Sequence, residues 1–315
     1  MAEVAIIGTG FIGRAWAISH ARAGNNVRLW DQDGTATGKA KDYITELLPD
    51  LQKNDLLNGH TPDQVLARLQ PITTLEEAVE GVEYVQESTF ERLDVKIEVF
   101  RMLDAATPRS AVLASSTSAL LPSAFTADLA GRDRCVVAHP INPPYLVPAA
   151  ELVPAPWTSP EVMERAATIL RGIGQKPIVM KREIDGFVMN RMQGALLEEA
   201  FRLVAEGYAS VEDIDIGIRD GLALRWSFMG PFETIDLNAP AGVRDYCQRY
   251  DGLYANLWAS TQHRIDWNGP VIDTIEADRR KLLAADQLQA RQAWRDRRLM
   301  ALIAHKRRAE KEIGN

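Results

Sequence analysis

Cysteine is nearly missing from this sequence, with two residues, Cys135 and Cys247, in a chain of 315. Two thiols cannot build a disulfide framework, so both are expected to be reduced residues of a cytoplasmic protein. Long hydrophobic runs are missing as well. No apolar stretch approaches the roughly 18 residues of a membrane helix, and Met1-Ala-Glu3 leads into a short strand with no basic segment or signal-type apolar core before it. The expectation is a protein with no membrane partner and no secretory leader. Positive charge is in short supply: 36 Lys and Arg against 43 Asp and Glu leave a formal net charge of -7. That balance speaks against nucleic acid as a partner. Histidine is scarce too, and no spacing among His20, His60, His139, His263 and His305 suggests a metal site.

What is present is an ordinary globular composition, 46% apolar and 25% charged, over a length that suits two domains. Val4-Ala-Ile-Ile7 is a continuous apolar run, as expected of a strand buried on both faces of a parallel sheet. It passes directly into Gly8-Thr-Gly10-Phe11-Ile12-Gly13 and a helix-compatible stretch from Arg14 to Ala23. A G-x-G-x-x-G pattern has meaning in that setting. The first glycine allows the tight turn, the second lets backbone approach a pyrophosphate, and the third permits close packing at the positive end of the helix. A second strand, Val27-Arg-Leu-Trp30, ends at Asp31, 18 residues beyond Gly13. A carboxylate there accepts from adenosine ribose hydroxyls and repels the extra phosphate of NADP, so NAD is the expected cofactor.

From Gly34 to Leu75 the pattern is helical, and with four Lys/Arg against five Asp/Glu it is no basic patch. The alternation resumes with a strand at Val82-Glu-Tyr-Val85, a helix from Leu93 to Ala106 and a strand at Ala111-Val-Leu-Ala114. Ligand-facing turns are expected after these strands, at Glu87-Ser-Thr-Phe-Glu91 and Ser115-Ser-Thr-Ser118, although serine runs also serve plain turn chemistry. After a helix from about Pro160 to Arg171 and a strand at Pro177-Ile-Val-Met180, only helical patterns remain. This places a doubly wound α/β domain at 1–182 and an all-helical domain at 183–315. The tail from Asp278 carries 11 Lys/Arg against five Asp/Glu, which reads as a solvated face.

The stretch with most chemistry is Cys135 to Val153. Cys135-Val-Val-Ala138 delivers His139 into a proline-rich loop, and twelve residues later a second apolar segment carries Glu151. A histidine at the end of a buried strand, with a carboxylate to fix its tautomer and steady the imidazolium, is what proton abstraction near neutral pH needs.

Taken together, the glycine turn, the Ser-rich turn ending at Ser118, His139-Pro-x-Asn142-Pro-Pro, Glu151-Leu-Val-Pro154, Ile184-Asp-Gly-Phe-Val-Met-Asn190-Arg191 and Gly221-Leu-Ala-Leu-Arg225-Trp226 followed by Gly230-Pro form an ordered series. In that series the chain resembles the 3-hydroxyacyl-CoA dehydrogenase superfamily along essentially its whole length, and within it the branch of lambda-crystallin, which is L-gulonate 3-dehydrogenase. The resemblance implies an N-terminal Rossmann-type domain, a helical domain for substrate and dimerisation, and a homodimer. It also implies that His139 is the catalytic base and Glu151 its partner, that Ser118 and Asn190 surround the substrate oxygen, and that Glu91 and Lys96 are further NAD contacts.

The branch is less fixed than the family. Acyl-CoA members carry many lysines where this chain has the balanced segment 34–75, and they have Asn-Thr-Ser where Ser116-Thr117-Ser118 stands. These departures favour a small free 3-hydroxy acid such as L-gulonate over a 3-hydroxyacyl-CoA. A small anion needs a cation, for which Arg225 is the candidate and Asn142 a further substrate contact. The reading from a different class is a non-catalytic NAD(H)-binding protein.

Overall fold

The short apolar runs of the N-terminal half lie side by side, because a strand apolar on both faces must be covered on both. The computed structural model describes residues 2–314, at 258–260 the backbone alone; Met1 and Asn315 lie outside the described residues. β1 (Glu3–Ile7), α1 (Phe11–Arg22), β2 (Asn26–Trp30), α2 (Ala36–Lys53), α3 (Pro62–Leu66), β3 (Leu69–Pro71), α4 (Leu75–Val79) and β4 (Tyr84–Glu87) come first. They are followed by α5 (Leu93–Ala106), β5 (Val112–Ser115), α6 (Pro122–Thr126), β6 (Cys135–Pro140), β7 (Ala149–Pro154), α7 (Pro160–Gly172) and β8 (Lys176–Val179).

The eight strands form one sheet in the order β3-β2-β1-β4-β5-β6-β7-β8. Neighbours are parallel except for β6 and β7, which pair antiparallel. This is the Rossmann-type doubly wound arrangement. Strand order reverses between β1 and β4, and the crevice outside the carboxyl ends at that point is where such sheets bind ligands.

β1 feeds two cores because successive side chains point to opposite faces. Val4 and Ile6 join Trp16, Leu29 and Leu48 on one side. Ala5 and Ile7 join Phe100, Val137 and Phe187 on the other. Within the segment expected to be wholly helical, residues 69–71 instead form β3. Three residues are too few for a period-2 pattern to show, and Pro71 is tolerated because β3 pairs only with β2 at the edge of the sheet.

Beyond the sheet the chain is helical: α8 (Met189–Ala205), α9 (Val211–Ile216), α10 (Ala223–Trp226), α11 (Pro231–Leu237), α12 (Val243–Ser260), α13 (Pro270–Leu282) and α14 (Leu288–Glu312). Ser210 opens α9 with a capping box, its hydroxyl accepting from the Asp213 amide. A π-helical turn, Gly217–Leu222, separates α9 from α10. The chain divides into two compact units, Met1–Asn190 with Asp296–His305, and Arg191–Arg295 with Lys306–Asn315. Inside the helical unit, Glu198 accepts from the Ile265 amide and the Trp267 indole, while buried Arg202 donates to the carbonyls of Thr261 and His263. These bonds fasten the loop after α12 to α8. Among the described residues no helix is long and apolar enough to cross a membrane.

Candidate active site

The glycine turn is built by close approach. Gly8 has φ +88°, and a Cβ on it would lie 2.7 Å from the Ser88 carbonyl oxygen. A Cβ on Gly13 would lie 1.8 Å from the Gly8 carbonyl oxygen, so α1 can sit this near β1 only with glycine there. Gly10 is different, because the space its side chain would enter is open. It is the N-cap of α1 and offers no side-chain cap, which leaves the first N–H groups of the helix for an external acceptor.

Asp31, at the end of β2, ties the turn in place. Its Oδ2 accepts from the Thr9 amide at 2.6 Å and hydroxyl at 3.1 Å, and its Oδ1 accepts from the Asp33 amide at 3.0 Å. Gly8, Gly10, Phe11, Ile12, Asp31, Gln32 and Ser88 line a cleft of about 780 Å³ whose far wall is Val95, Val99 and Met102 of α5. Backbone donors at one end, a carboxylate at the ribose position and an apolar wall fit a dinucleotide.

Beneath this cleft lies a charge network. Glu87, fully buried at the end of β4, accepts from Lys96 Nζ at 2.7 and 2.9 Å, from the Thr89 amide and hydroxyl at 2.5 and 2.6 Å, and from the Ser115 hydroxyl at 2.6 Å. Lys96 is as buried as its partner, and its ammonium also donates to the Thr89 carbonyl at 3.2 Å. Nothing in the spacing of the sequence marks Glu87. The available signal was the interruption of an apolar strand by Gln86-Glu87, where burial on both faces asks for apolar residues.

Glu91 reaches the Ser-rich turn instead. Its Oε1 accepts from the Thr117 hydroxyl at 2.5 Å and from the Ser118 and Ala119 amides at 2.8 and 3.1 Å. Partial burial works to raise its pKa, but the Thr117 and Ser118 donors, Lys96 and Ala119 together hold it below the ordinary glutamate range.

His139 and Glu151 sit directly opposite each other on β6 and β7. The imidazole Nδ1 and Glu151 Oε2 are 2.7 Å apart, the carboxylate fully buried and the histidine side chain 10% exposed. An ionised carboxylate only accepts, so Nδ1 is the donor of this bond, and in a neutral imidazole held this way Nε2 presents the lone pair. The other oxygen, Oε1, accepts from the amides of Val188 and Met189 at 2.6 and 2.8 Å. That geometry requires the chain to turn sharply just before α8, and Phe187 does so at φ +48°, a left-handed conformation costly for a bulky residue. Its fully buried ring packs 5.8 Å from the His139 ring. Three residues beyond Phe187, Asn190 Nδ2 donates to the Ser118 carbonyl at 2.7 Å. The His139–Glu151 pair and the Asn190–Ser118 pair are thus anchored on the same short stretch of backbone, 188–190.

Two further candidates are exposed. Asn142 is exposed on the loop between β6 and β7. Arg225, on α10 in the helical unit, is exposed, and its guanidinium makes a long bond to Asn238 Oδ1 at 3.4 Å. Among the described residues no cluster of His, Cys, Asp and Glu could hold a metal ion.

The profile of the 3-hydroxyacyl-CoA dehydrogenase NAD binding domain matches residues 3–184, and that of the 3-hydroxyacyl-CoA dehydrogenase C-terminal domain matches 186–263. Lambda-crystallin of Oryctolagus cuniculus is 40% identical over 98% of this chain and 97% of its own length. L-carnitine dehydrogenase of Pseudomonas putida is 35% identical over 95% of this chain and 92% of its own. Among solved structures, an NAD+-dependent 5-formyl-3-hydroxy-2-methylpyridine 4-carboxylic acid 5-dehydrogenase superposes with a TM-score of 0.82 at 27% identity, covering 96% of this chain and 97% of that one.

Proposed function

We propose that this chain, which belongs to the 3-hydroxyacyl-CoA dehydrogenase family and is an NAD-dependent oxidoreductase, oxidises the 3-hydroxyl of a small free hydroxy acid with His139 as general base. The observation that carries this reading is the His139–Glu151 pair, a base whose proton-accepting nitrogen is free because its other nitrogen is held by a buried carboxylate. Bound NAD would supply the hydride acceptor for the carbinol carbon. The Gly8–Gly13 turn, Asp31 and Glu91 would hold the dinucleotide, with Lys96 supporting them from below. His139 Nε2 takes the hydroxyl proton, and Glu151 stabilises the imidazolium that results. Ser118 and Asn190 supply hydroxyl and amide donors for the oxygen as it becomes negative.

A free acid is favoured over a CoA thioester because the segment 34–75 offers no excess of cations to meet CoA phosphates. L-carnitine dehydrogenase supports the same choice, being named for a free 3-hydroxy acid. Arg225 is the candidate partner of the carboxylate. Its neighbourhood includes a π-helical turn, a backbone form often found at functional sites. The helical unit also exposes Leu224, Phe228, Phe232, Leu237 and Leu253, a surface we assign to a second copy of the chain.

The test compares oxidation of free 3-hydroxy acids, L-gulonate and L-carnitine among them, with that of 3-hydroxybutyryl-CoA, followed by NADH absorbance in wild type and His139→Gln. The expected result is turnover of a free acid that falls at least roughly 100-fold in the variant while NADH binding is retained. Near-normal turnover in His139→Gln would remove the histidine from this role, and a preference for the thioester would restore the acyl-CoA reading. Binding of NADH with oxidation of neither class would favour a non-catalytic protein.

A further inference from the structure

We infer that Ser88 is a cofactor contact, and that a buried relay of hydrogen bonds directs its hydroxyl proton toward an oxygen acceptor of the bound dinucleotide. The relay starts at Tyr84, whose hydroxyl donates to Gln86 Oε1 at 2.7 Å. The amide nitrogen of Gln86 therefore faces the other way, toward Ser116 Oγ at 2.7 Å and the Ala138 carbonyl at 3.4 Å. A carbonyl can only accept, which agrees with that orientation of the amide. Ser116 Oγ also receives the indole N–H of Trp16 at 3.2 Å, and an indole can only donate.

A hydroxyl has two lone pairs and one proton. With both lone pairs of Ser116 occupied, its proton goes to Ser88 Oγ, 2.8 Å away. Ser88 is the acceptor in that pair, so its own proton is left for a third partner. Among the described residues no protein acceptor takes it. Ser88 is half-buried and lines the cleft beside Gly8 and Gly10. Bonds in a chain polarise one another, so the last donor is stronger than an isolated hydroxyl. The dinucleotide offers oxygens of one chemistry, hydrogen-bond acceptors, from several sources: pyrophosphate, ribose and the nicotinamide carboxamide.

The test is dissociation constants of the full chain for NADH and for ADP-ribose, measured by calorimetry, alongside thermal unfolding of the unliganded protein. Ser88→Ala is expected to weaken NADH roughly 3- to 10-fold, the size of one lost neutral hydrogen bond, with a small fall in the unfolding midpoint from the lost Ser116 bond. Ser88→Thr, which keeps the hydroxyl, should restore affinity to within about twofold of wild type. An equal loss for ADP-ribose puts the acceptor in the pyrophosphate or ribose portion, and a loss confined to NADH puts it on the nicotinamide side; both support the contact. Ser116 is a positioning residue that acts through Ser88. Adding Ser116→Ala to Ser88→Ala should therefore cost no further affinity, although Ser116→Ala alone weakens binding. Unchanged NADH affinity in Ser88→Ala overturns the assignment, and additive losses in the double variant overturn the relay. Should the Ser116 variants fail to fold, the Ser88→Ala and Ser88→Thr pair decides the contact by itself.

Discussion

His139 and His20 show what surroundings do to one residue type. His139 keeps a carboxylate partner and an open nitrogen. His20 is fully buried on α1 between Trp16 and Tyr84, its Nε2 has no partner, and burial pushes its pKa down to about 3. It is a core residue, neutral in the folded chain. The unfolded chain takes up a proton at His20 as pH falls past about 6.5, while the folded chain does not until about 3. Between these values the unfolded state binds more protons, so stability declines with falling pH across that window. His20→Leu is expected to flatten this slope when urea midpoints are compared from pH 7 to 4. An identical slope in the variant would show that His20 is protonated equally in both states.

At the scale of elements, the glycine turn sets the strictest demand. Gly13→Ala should be poorly tolerated, because its Cβ would overlap the Gly8 carbonyl and force α1 away from β1. Overpacking of this kind costs typically about 1–3 kcal/mol. Chemical denaturation should show at least that loss, accompanied by weaker NADH binding, whereas Gly10→Ala, with open space around it, should lose cofactor affinity with little change in stability. These constraints were legible in the sequence because strand, turn and helix each announce themselves locally. The facing of His139 and Glu151 was legible only as a possibility, since the proline-rich loop between β6 and β7 does not dictate the register that sets them opposite. Glu87, Gln86 and Ser116 were not legible as a network. The bonds from Glu87 to Ser115 and from Gln86 to Ser116 span 28 and 30 residues and form where β4 and β5 run side by side, and that from Trp16 on α1 to Ser116 spans 100.

For the whole molecule, the sheet and the succession of helices follow from periodicity, but the grouping of Asp296–His305 with the first unit does not. That segment contributes buried Met300 to the core around Trp16 and Leu48, and a charged 25-residue helix gives little hint of it. Arg225→Met should raise KM for a free hydroxy acid by roughly 10- to 1,000-fold, the cost of leaving a partly buried carboxylate without its charged partner, while NADH affinity stays unchanged. Arg225→Lys should recover part of the loss, having the charge without the planar fork. An unchanged KM in Arg225→Met would dismiss the carboxylate role. The backbone passes from the first unit to the second through α8, and the two amides just ahead of that passage, Val188 and Met189, are held by the carboxylate oxygen that His139 does not use. Deuterium uptake at those two peptide positions therefore becomes a clock for Glu151: it runs slowly while that carboxylate oxygen holds them, and quickens when replacement by Ala removes its grip.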